Sequence, residues 1–562
     1  MTTDALGGVP GLRLRPGPLR LLKAAGWLVL VWVVLFWRLG YLPLLDPDEA
    51  HYAEITREMM GARELVVPLL NGEPHIDKPV LFHWVQAGSF RLLGQTEFAA
   101  RLPSALSALL LFLVTYWCGS RLFRRDTGEH GALLLATIPA TFALSYIGVF
   151  DMLFTLFLFG ALSALCVSAV ERKPWLEYVA FLCVAGAVLT KGPVAVILMT
   201  VTALISLLHP ASREATLRLR WGRGIAIVLA LAAPWFLLMW QRFGDRFIDQ
   251  YVLYNNLSLF GRPLYRTSRY PLFYGRVFLT AFLPWSPLVL ARIVDLIRSR
   301  TAIRSLSLGE FVLTAWTITI VGFFSLSWFK LDTYIFPAAP AVCLLAANAW
   351  RQASEDPQRH PTVRGLLVAL PIALALGGVA AWVFLFRLNL PIPTYTILLP
   401  LSLIIGGTAL TVQTARAGWR PPAFGLALIV PLVCAYGTVV AAGLPVIDQT
   451  RPTPQIAHWM ATTAPGSTAP VGLYQLERWK SSLRFYSGHV VVPLETPEEL
   501  TAFLDAHPGS WIVLTERDAA RLAGHGLELT TVYQRSAVLG TEGRGLRRQR
   551  WGNVVVAVRA TR

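Results

Sequence analysis

The chain has 562 residues, of which 55% are hydrophobic and only 15% charged, whereas a soluble domain carries about 25% charged residues. A mean hydropathy of +0.53 therefore excludes a soluble enzyme and defines a polytopic integral membrane protein. The net charge of +17 is scattered through short loops rather than gathered into one stripe, so nucleic acid is not the expected partner.

Bilayer-length apolar runs of about 17 to 25 residues recur about thirteen times up to residue 443, beginning with a run over residues 22–42. The N-terminal segment is basic but lacks a small-residue cleavage site after its apolar run, and it reads as a retained first span. Runs follow at 102–119, 131–149, 152–170, 176–190, 193–208, 224–241, 273–297, 309–329, 334–350, 365–386, 394–413 and 423–443. Arginines and lysines cluster in alternate loops, among them Arg20 and Lys23, Arg121 to Arg125, Arg213 to Arg223, and Arg298 to Arg304. The positive-inside rule makes those loops cytoplasmic and puts the N-terminus with them. The five cysteines sit inside apolar runs, which argues against a disulfide framework or a cysteine metal site.

Between the first two spans lies a long polar loop over residues 46–96, facing the opposite, outer side. It carries Asp46, Asp48, Glu49, His51, Glu54, Arg57, Glu58, His75, Asp77, Lys78 and His83. Such a concentration of acids, bases and ring nitrogens at a water–lipid boundary points to chemistry rather than to a connector. HYAEITREMM has helical spacing with Tyr52, Ile55 and Met59 on one face, which predicts an interfacial helix whose charged face meets water. Asp151, at the mouth of a later span, is placed to meet Asp48 if their spans pack together, giving two carboxylates for acid–base or metal-assisted transfer. The competing reading, an acid favoured at a helix N-terminus, is preferred for Glu58. His75, Asp77 and His83 match no strong metal-ligand spacing, so a divalent metal remains a candidate cofactor without an assigned site.

The same outer side carries Lys330 to Tyr334 and a loop containing Arg262, Arg266 and Arg269. Each basic residue alone reads as a headgroup anchor. Together with Lys78 on the acid-bearing face, they imply a phosphate-containing lipid substrate. Residues 444–562 lose the long apolar runs and show short ones, PVGLY, VVVPL, SWIVL and NVVVAV, around TPEELTAFLDAH, where Thr496 and Glu499 form a capping-box pattern. The expected architecture is an all-α polytopic bundle over 1–443 and a small outer α/β domain over 444–562.

DPDEAHYAEI, IDKP, RLPSAL, FDMLF, LTKGP, YPLFYGRVFLTAFLPW and KLDTYIFPAAP resemble the polyprenyl-phosphate-dependent glycosyltransferases of the GT-C superfamily, and within it the aminoarabinose transferases related to protein O-mannosyltransferases. The similarity runs to about residue 350, and the C-terminal part rests on architecture. The resemblance implies a GT-C bundle of thirteen transmembrane helices with a periplasmic α/β domain, in the bacterial inner membrane. It implies transfer of 4-amino-4-deoxy-L-arabinose from undecaprenyl phosphate to lipid A or lipopolysaccharide phosphate, with inversion. Carried over by position, it makes Asp48 and Asp151 the catalytic carboxylates and Lys78 a donor-phosphate ligand. Glu49, His51, Tyr52, Lys330 and Tyr334 fall among the substrate-binding positions, with Arg262, Arg266 and Arg269 as an unassigned group. One departure stands out. The family commonly has Arg where this chain has His51, which replaces a fixed cation by a group that titrates near neutrality. Alternatives are another polyprenyl-phosphate-dependent transferase, such as a protein or glycan mannosyltransferase, and more remotely a lipid transporter; the absence of visible repeats and the placement of the acids in loops disfavour transport.

Overall fold

The structure, a computed structural model, describes residues 18–261, 272–300, 303–387, 394–418, 426–448, 451–539 and 550–560. Arg262, Arg266 and Arg269 lie outside the described residues.

The membrane region opens with α1 (Pro18–Leu35), followed by α2 (Asp48–Gly61), a two-residue hairpin of β1 (Leu69–Leu70) and β2 (Glu73–Pro74), and α3 (Leu81–Leu93). Then come α4 (Glu97–Leu122), α5 (Arg125–Thr137), α6 (Pro139–Ser145), α7 (Asp151–Glu171), α8 (Trp175–Lys191) and α9 (Val194–Ser206). Thr96 starts α4 by accepting a hydrogen bond from the Ala99 amide at 3.2 Å, satisfying one of the free donors at a helix N-terminus. One apolar cluster runs from Leu30 to Leu444 and joins the helices.

Among the described residues, seven helices are long and apolar enough to cross a bilayer, or eight if one bent pair counts as a single span. Several of the thirteen apolar runs are therefore divided or short as helices. The run 131–149 becomes α5 and α6, separated at Pro139, which starts α6. The run 273–297 becomes Phe273–Ala281 and Ser286–Arg298, bent by 113° across a segment containing Pro284, whose missing N–H cannot continue a helical ladder. Position in the bundle follows burial. The Asp332–Glu355 window is 89% buried and central, whereas that of Pro361–Val383 is 17% buried and presents most of its surface outward.

Residues 453–559 hold a five-stranded mixed sheet in the order β4-β3-β5-β7-β6, where β3 is Val471–Tyr474, β4 Val491–Leu494, β5 Ile512–Thr515, β6 Leu529–Leu539 and β7 Arg550–Arg559. Strand β3 runs parallel to β4 and β5, while β7 is antiparallel to β5 and β6. The unbroken apolar run in β7 reflects burial on both faces. Val554 and Val556 join one core with Ile456, Met460 and Leu473, and Val555 and Ala557 join a second with Leu500, Phe503 and Leu514, as the two-residue period of a strand requires. The capping box forms as its pattern predicts: the Glu499 amide donates to Thr496 Oγ1 at 3.2 Å and the Thr496 amide to Glu499 Oε2 at 3.4 Å.

Candidate active site

Helix α2 carries the first group of site residues, and its start is fixed by a buried ion pair. Arg101, in RLPSAL on α4, donates to both carboxylate oxygens of Glu49, at 2.7 and 2.9 Å. Its remaining donors bind the carbonyls of Leu39, Leu42 and Pro43, at 2.8 to 2.9 Å. The amides of Leu45 and Gly148 also donate to Glu49, at 2.7 and 2.8 Å. All five guanidinium protons are thus used, and the carboxylate receives four hydrogen bonds. Gly148 permits this approach, because a Cβ there would sit 2.7 Å from the Ala100 carbonyl oxygen. Glu49 is therefore a strut that fixes the loop before α2, rather than the substrate contact expected from its place beside Asp48.

Asp48 is exposed at the first turn of α2. Partial burial and the nearby charges of Asp151 and Asp77 raise its pKa, against the pull of Lys78. Asp151, the carboxylate expected to meet Asp48, is thus close enough for its charge to act on Asp48, and Asp77 is a third. Each of the other two has its own lysine. Lys78 Nζ donates to Asp77 Oδ1 at 2.7 Å, and Lys191 Nζ to Asp151 Oδ1 at 2.7 Å. Lys191, from LTKGP at the end of α8, also lies 5.1 Å from the Phe150 ring centre, 5.4 Å from that of Phe154 and 4.8 Å from that of Tyr334. Cation–π contact and an ion pair together hold its ammonium in place. The turn after it is equally constrained, since Gly192 has φ +90° and a Cβ there would lie 2.2 Å from the Tyr251 hydroxyl. Nothing in the local sequence of LTKGP distinguishes Lys191 from an interfacial anchor, because its partner Asp151 lies 40 residues away.

Tyr52 is buried against Phe150, with ring centres 4.8 Å apart; burial and the charges of Asp77, Asp48 and Asp151 raise its pKa well above the ordinary phenol value. Tyr334 closes the same region over Lys191. Lys330 is placed differently. Its ammonium donates to the carbonyls of Phe324, Ser325 and Ser327 at 3.4, 2.8 and 2.6 Å, so it caps the C-terminal turn of helix Leu308–Leu326.

His51 and His75 face each other, Nε2 to Nε2, at 3.1 Å. Burial and the charge of His75 push His51 down to about 4, and burial lowers His75 as well. Both imidazoles are therefore predominantly neutral at pH 7, one ring donating and the other accepting. This corrects the expectation that His51 titrates near neutrality. His83 is buried, bonded to Thr56 Oγ1 at 2.8 Å, and pushed down to about 3 by burial. Among the described residues, no group of three or more His, Cys, Asp or Glu side chains is arranged to hold a metal ion.

The charged face of α2 meets protein rather than water. Helix Lys480–Ser487 of the C-terminal domain lies on it. Arg484 Nε binds Glu54 Oε1 at 2.9 Å and Glu58 Oε1 at 2.7 Å, and Arg57 donates to the Phe485 carbonyl at 3.0 Å. Ser482 donates to Asp46 Oδ2 at 2.7 Å, and Ser481 Oγ lies 3.4 Å from His51 Nδ1. The Tyr486 hydroxyl accepts from the Leu44 amide at 2.7 Å and donates to Glu97 at 2.9 Å. Glu58, read from sequence as structural, also receives the amides of Asn71 and Gly72.

Residues 77–240 match the family described as dolichyl-phosphate-mannose-protein mannosyltransferase. The chain has the fold of ArnT from Cupriavidus metallidurans bound to undecaprenyl phosphate, with a TM-score of 0.71 and 22% identity over 96% of this chain and 97% of that one. It is also similar in fold to the oligosaccharyltransferase AglB from Archaeoglobus fulgidus, with a TM-score of 0.52 and 11% identity, covering 89% of this chain and 70% of that one. Fold and sequence together make the chain similar to membrane glycosyltransferases of the GT-C class. In sequence it is similar to undecaprenyl phosphate-alpha-4-amino-4-deoxy-L-arabinose arabinosyl transferases, and it spans less than two thirds of the length of those relatives. The relative from Pectobacterium carotovorum is 31% identical over 62% of this chain, and the match spans 63% of that relative's length. An uncharacterised protein of Aquifex aeolicus is 24% identical over 86% of this chain and 90% of its own length.

Proposed function

We propose that the protein transfers 4-amino-4-deoxy-L-arabinose from undecaprenyl phosphate to a lipid A phosphate at the periplasmic face of the inner membrane. The observation that carries this reading is the cluster of Asp48, Asp77 and Asp151 with Lys78 and Lys191 at the head of the bundle, in a chain related to arabinosyl transferases that use this donor.

In the proposed reaction, an acceptor phosphate oxygen attacks the anomeric carbon as the bond from that carbon to the undecaprenyl phosphate oxygen breaks. The electron pair of the broken bond leaves on the polyprenyl phosphate, whose added charge Lys78 and Lys191 neutralise. Because that leaving group is stable as an anion and the acceptor is already ionised, little proton transfer is needed. Asp48 orients the nucleophile, takes a residual proton or binds the sugar's ammonium. A single displacement inverts the anomeric centre.

The family matched over residues 77–240 supports a second reading, a polyprenyl-phosphate-dependent transferase with a hydroxyl acceptor, in which Asp48 acts as a true general base. Mass spectrometry of lipid A from cells expressing the chain separates the two. The proposal expects a gain of one aminopentose on a phosphate; unchanged lipid A with a newly glycosylated hydroxyl acceptor would favour the second reading.

A further inference from the structure

The three lysines around the outer site are not equivalent. Lys78 and Lys191 each face an aspartate at 2.7 Å, so each ammonium is held in place by a carboxylate of the cluster. Lys480, at the start of the C-terminal domain's docking helix, is half-buried, and among the described residues no hydrogen bond or ion pair is formed by its ammonium. It stands close enough to His51 and His75 for its charge to disfavour a proton on either ring. Those rings are predominantly neutral at pH 7 and supply no positive charge on that side.

Lys480 is also poorly placed for stabilising its own helix. A cation at a helix N-terminus meets the positive end of the macrodipole, and Arg484 adds repulsion, while Glu477 and Glu58 attract it without pairing. A partly desolvated, unpaired ammonium is costly unless an anion completes it. Its position is nevertheless firmly set. Ser481 reaches His51, Ser482 binds Asp46, and Arg484 binds Glu54 and Glu58, so these three residues hold the helix against α2 and the loop before it.

We propose that Lys480 is a substrate contact contributed by the C-terminal domain, binding the phosphate of the acceptor lipid. This rests on the reading of the protein as a phosphate-to-phosphate glycosyltransferase. An in-line displacement needs the attacking and leaving phosphates on opposite sides of the anomeric carbon, so two anion sites are required. Lys78 and Lys191 serve the leaving group, and Lys480 serves the attacking one. The C-terminal domain then takes part in acceptor recognition, and transfer depends on its docking to α2.

The test compares full-length wild type, Lys480→Ala and Lys480→Arg in matched detergent, with retained thermal unfolding temperature as the control for folding. Lys480→Ala should raise KM for lipid A by at least about tenfold, the scale of a lost charged hydrogen bond, leave KM for the undecaprenyl-phosphate donor unchanged, and be largely rescued by Arg. An unchanged acceptor KM, or a rise confined to the donor, would overturn the assignment. A second measurement does not depend on transfer: binding of phosphorylated and dephosphorylated lipid A and of phosphatidylglycerol vesicles. Loss of preference for phosphorylated lipid A in Lys480→Ala supports the assignment, whereas an equal loss for phosphatidylglycerol would make Lys480 a general headgroup contact and overturn it. If the wild type binds phosphorylated lipid A through Lys480 but transfers nothing to it, the reaction reading fails while the contact stands.

Discussion

At the residue scale, the outcome turns on how five charges share a small space. Asp48 has no lysine of its own, and partial desolvation of its carboxylate together with the charges of Asp151 and Asp77 raises its pKa. A rate that needs ionised Asp48 should therefore fall on the acid side at a higher pH than for a free carboxylate, and the acidic limb of the kcat/KM profile should reflect this. Asp48→Asn should lose transfer by at least about a hundredfold, equivalent to about 3 kcal/mol of transition-state stabilisation, with an unchanged unfolding temperature because the side chain is exposed. Wild-type turnover by the folded variant would remove Asp48 from the mechanism. In the proposed reaction Lys78 acts through charge on the leaving phosphate, so Lys78→Ala should raise the donor KM far more than the acceptor KM. Lys78→Glu should be worse, because it adds repulsion to the missing attraction. Equal donor responses in wild type and Lys78→Ala would contradict this role.

Elements hold these residues in place, and here the sequence was legible to different depths. Acidic and basic motifs in the first loop marked the site because charge between apolar runs has few structural explanations. The period of HYAEITREMM predicted α2 and its buried face of Tyr52, Ile55 and Met59. What sequence could not distinguish was a carboxylate facing a cleft from one consumed by a partner 52 residues away: Glu49 adjoins Asp48, and only the fold reveals Arg101 beside it. Lys191 and the Lys480–Ser487 helix escaped for the same reason, since their relation to the first loop is entirely long-range. The buried Arg101–Glu49 pair gives a direct test of the strut. Arg101→Ala leaves a buried carboxylate unpaired, and should cost about 3 to 5 kcal/mol, read as a lowered unfolding temperature and poor recovery from detergent. Near-wild-type stability would show that the loop before α2 does not depend on the pair.

The junction between α2 and the docking helix carries a pH signature. Burial pushes Asp46 up to about 7, from an ordinary carboxylate value of 3.8, against the favourable effect of its bond with Ser482. The folded state thus holds this proton more tightly than the unfolded chain. Its contribution to stability is full below the unfolded value and is lost as pH rises toward and through about 7. Asp46→Asn mimics the protonated form, so the variant should gain stability relative to wild type between pH 5 and pH 8, by an amount on the order of a few kcal/mol at most. A difference in unfolding temperature that is constant over that interval would mean that Asp46 does not titrate there.

For the whole molecule, the arrangement makes sense only if the acid-bearing loop and the C-terminal domain share one side of the membrane, as their direct contact demands. By the positive-inside rule we propose that this side lies outside the cytoplasm. A reporter active only outside the cytoplasm should therefore be active at Arg562 and silent after Arg220, and the reverse pattern would invert the orientation. The central claim, that a membrane-borne sugar phosphate reacts at this outer site, is tested most directly by incubating the purified protein with sugar-labelled undecaprenyl-phosphate aminoarabinose and lipid A. The account predicts that label moves to a lipid A phosphate with inversion. No transfer to lipid A, or equally efficient transfer from a soluble nucleotide sugar, would contradict it.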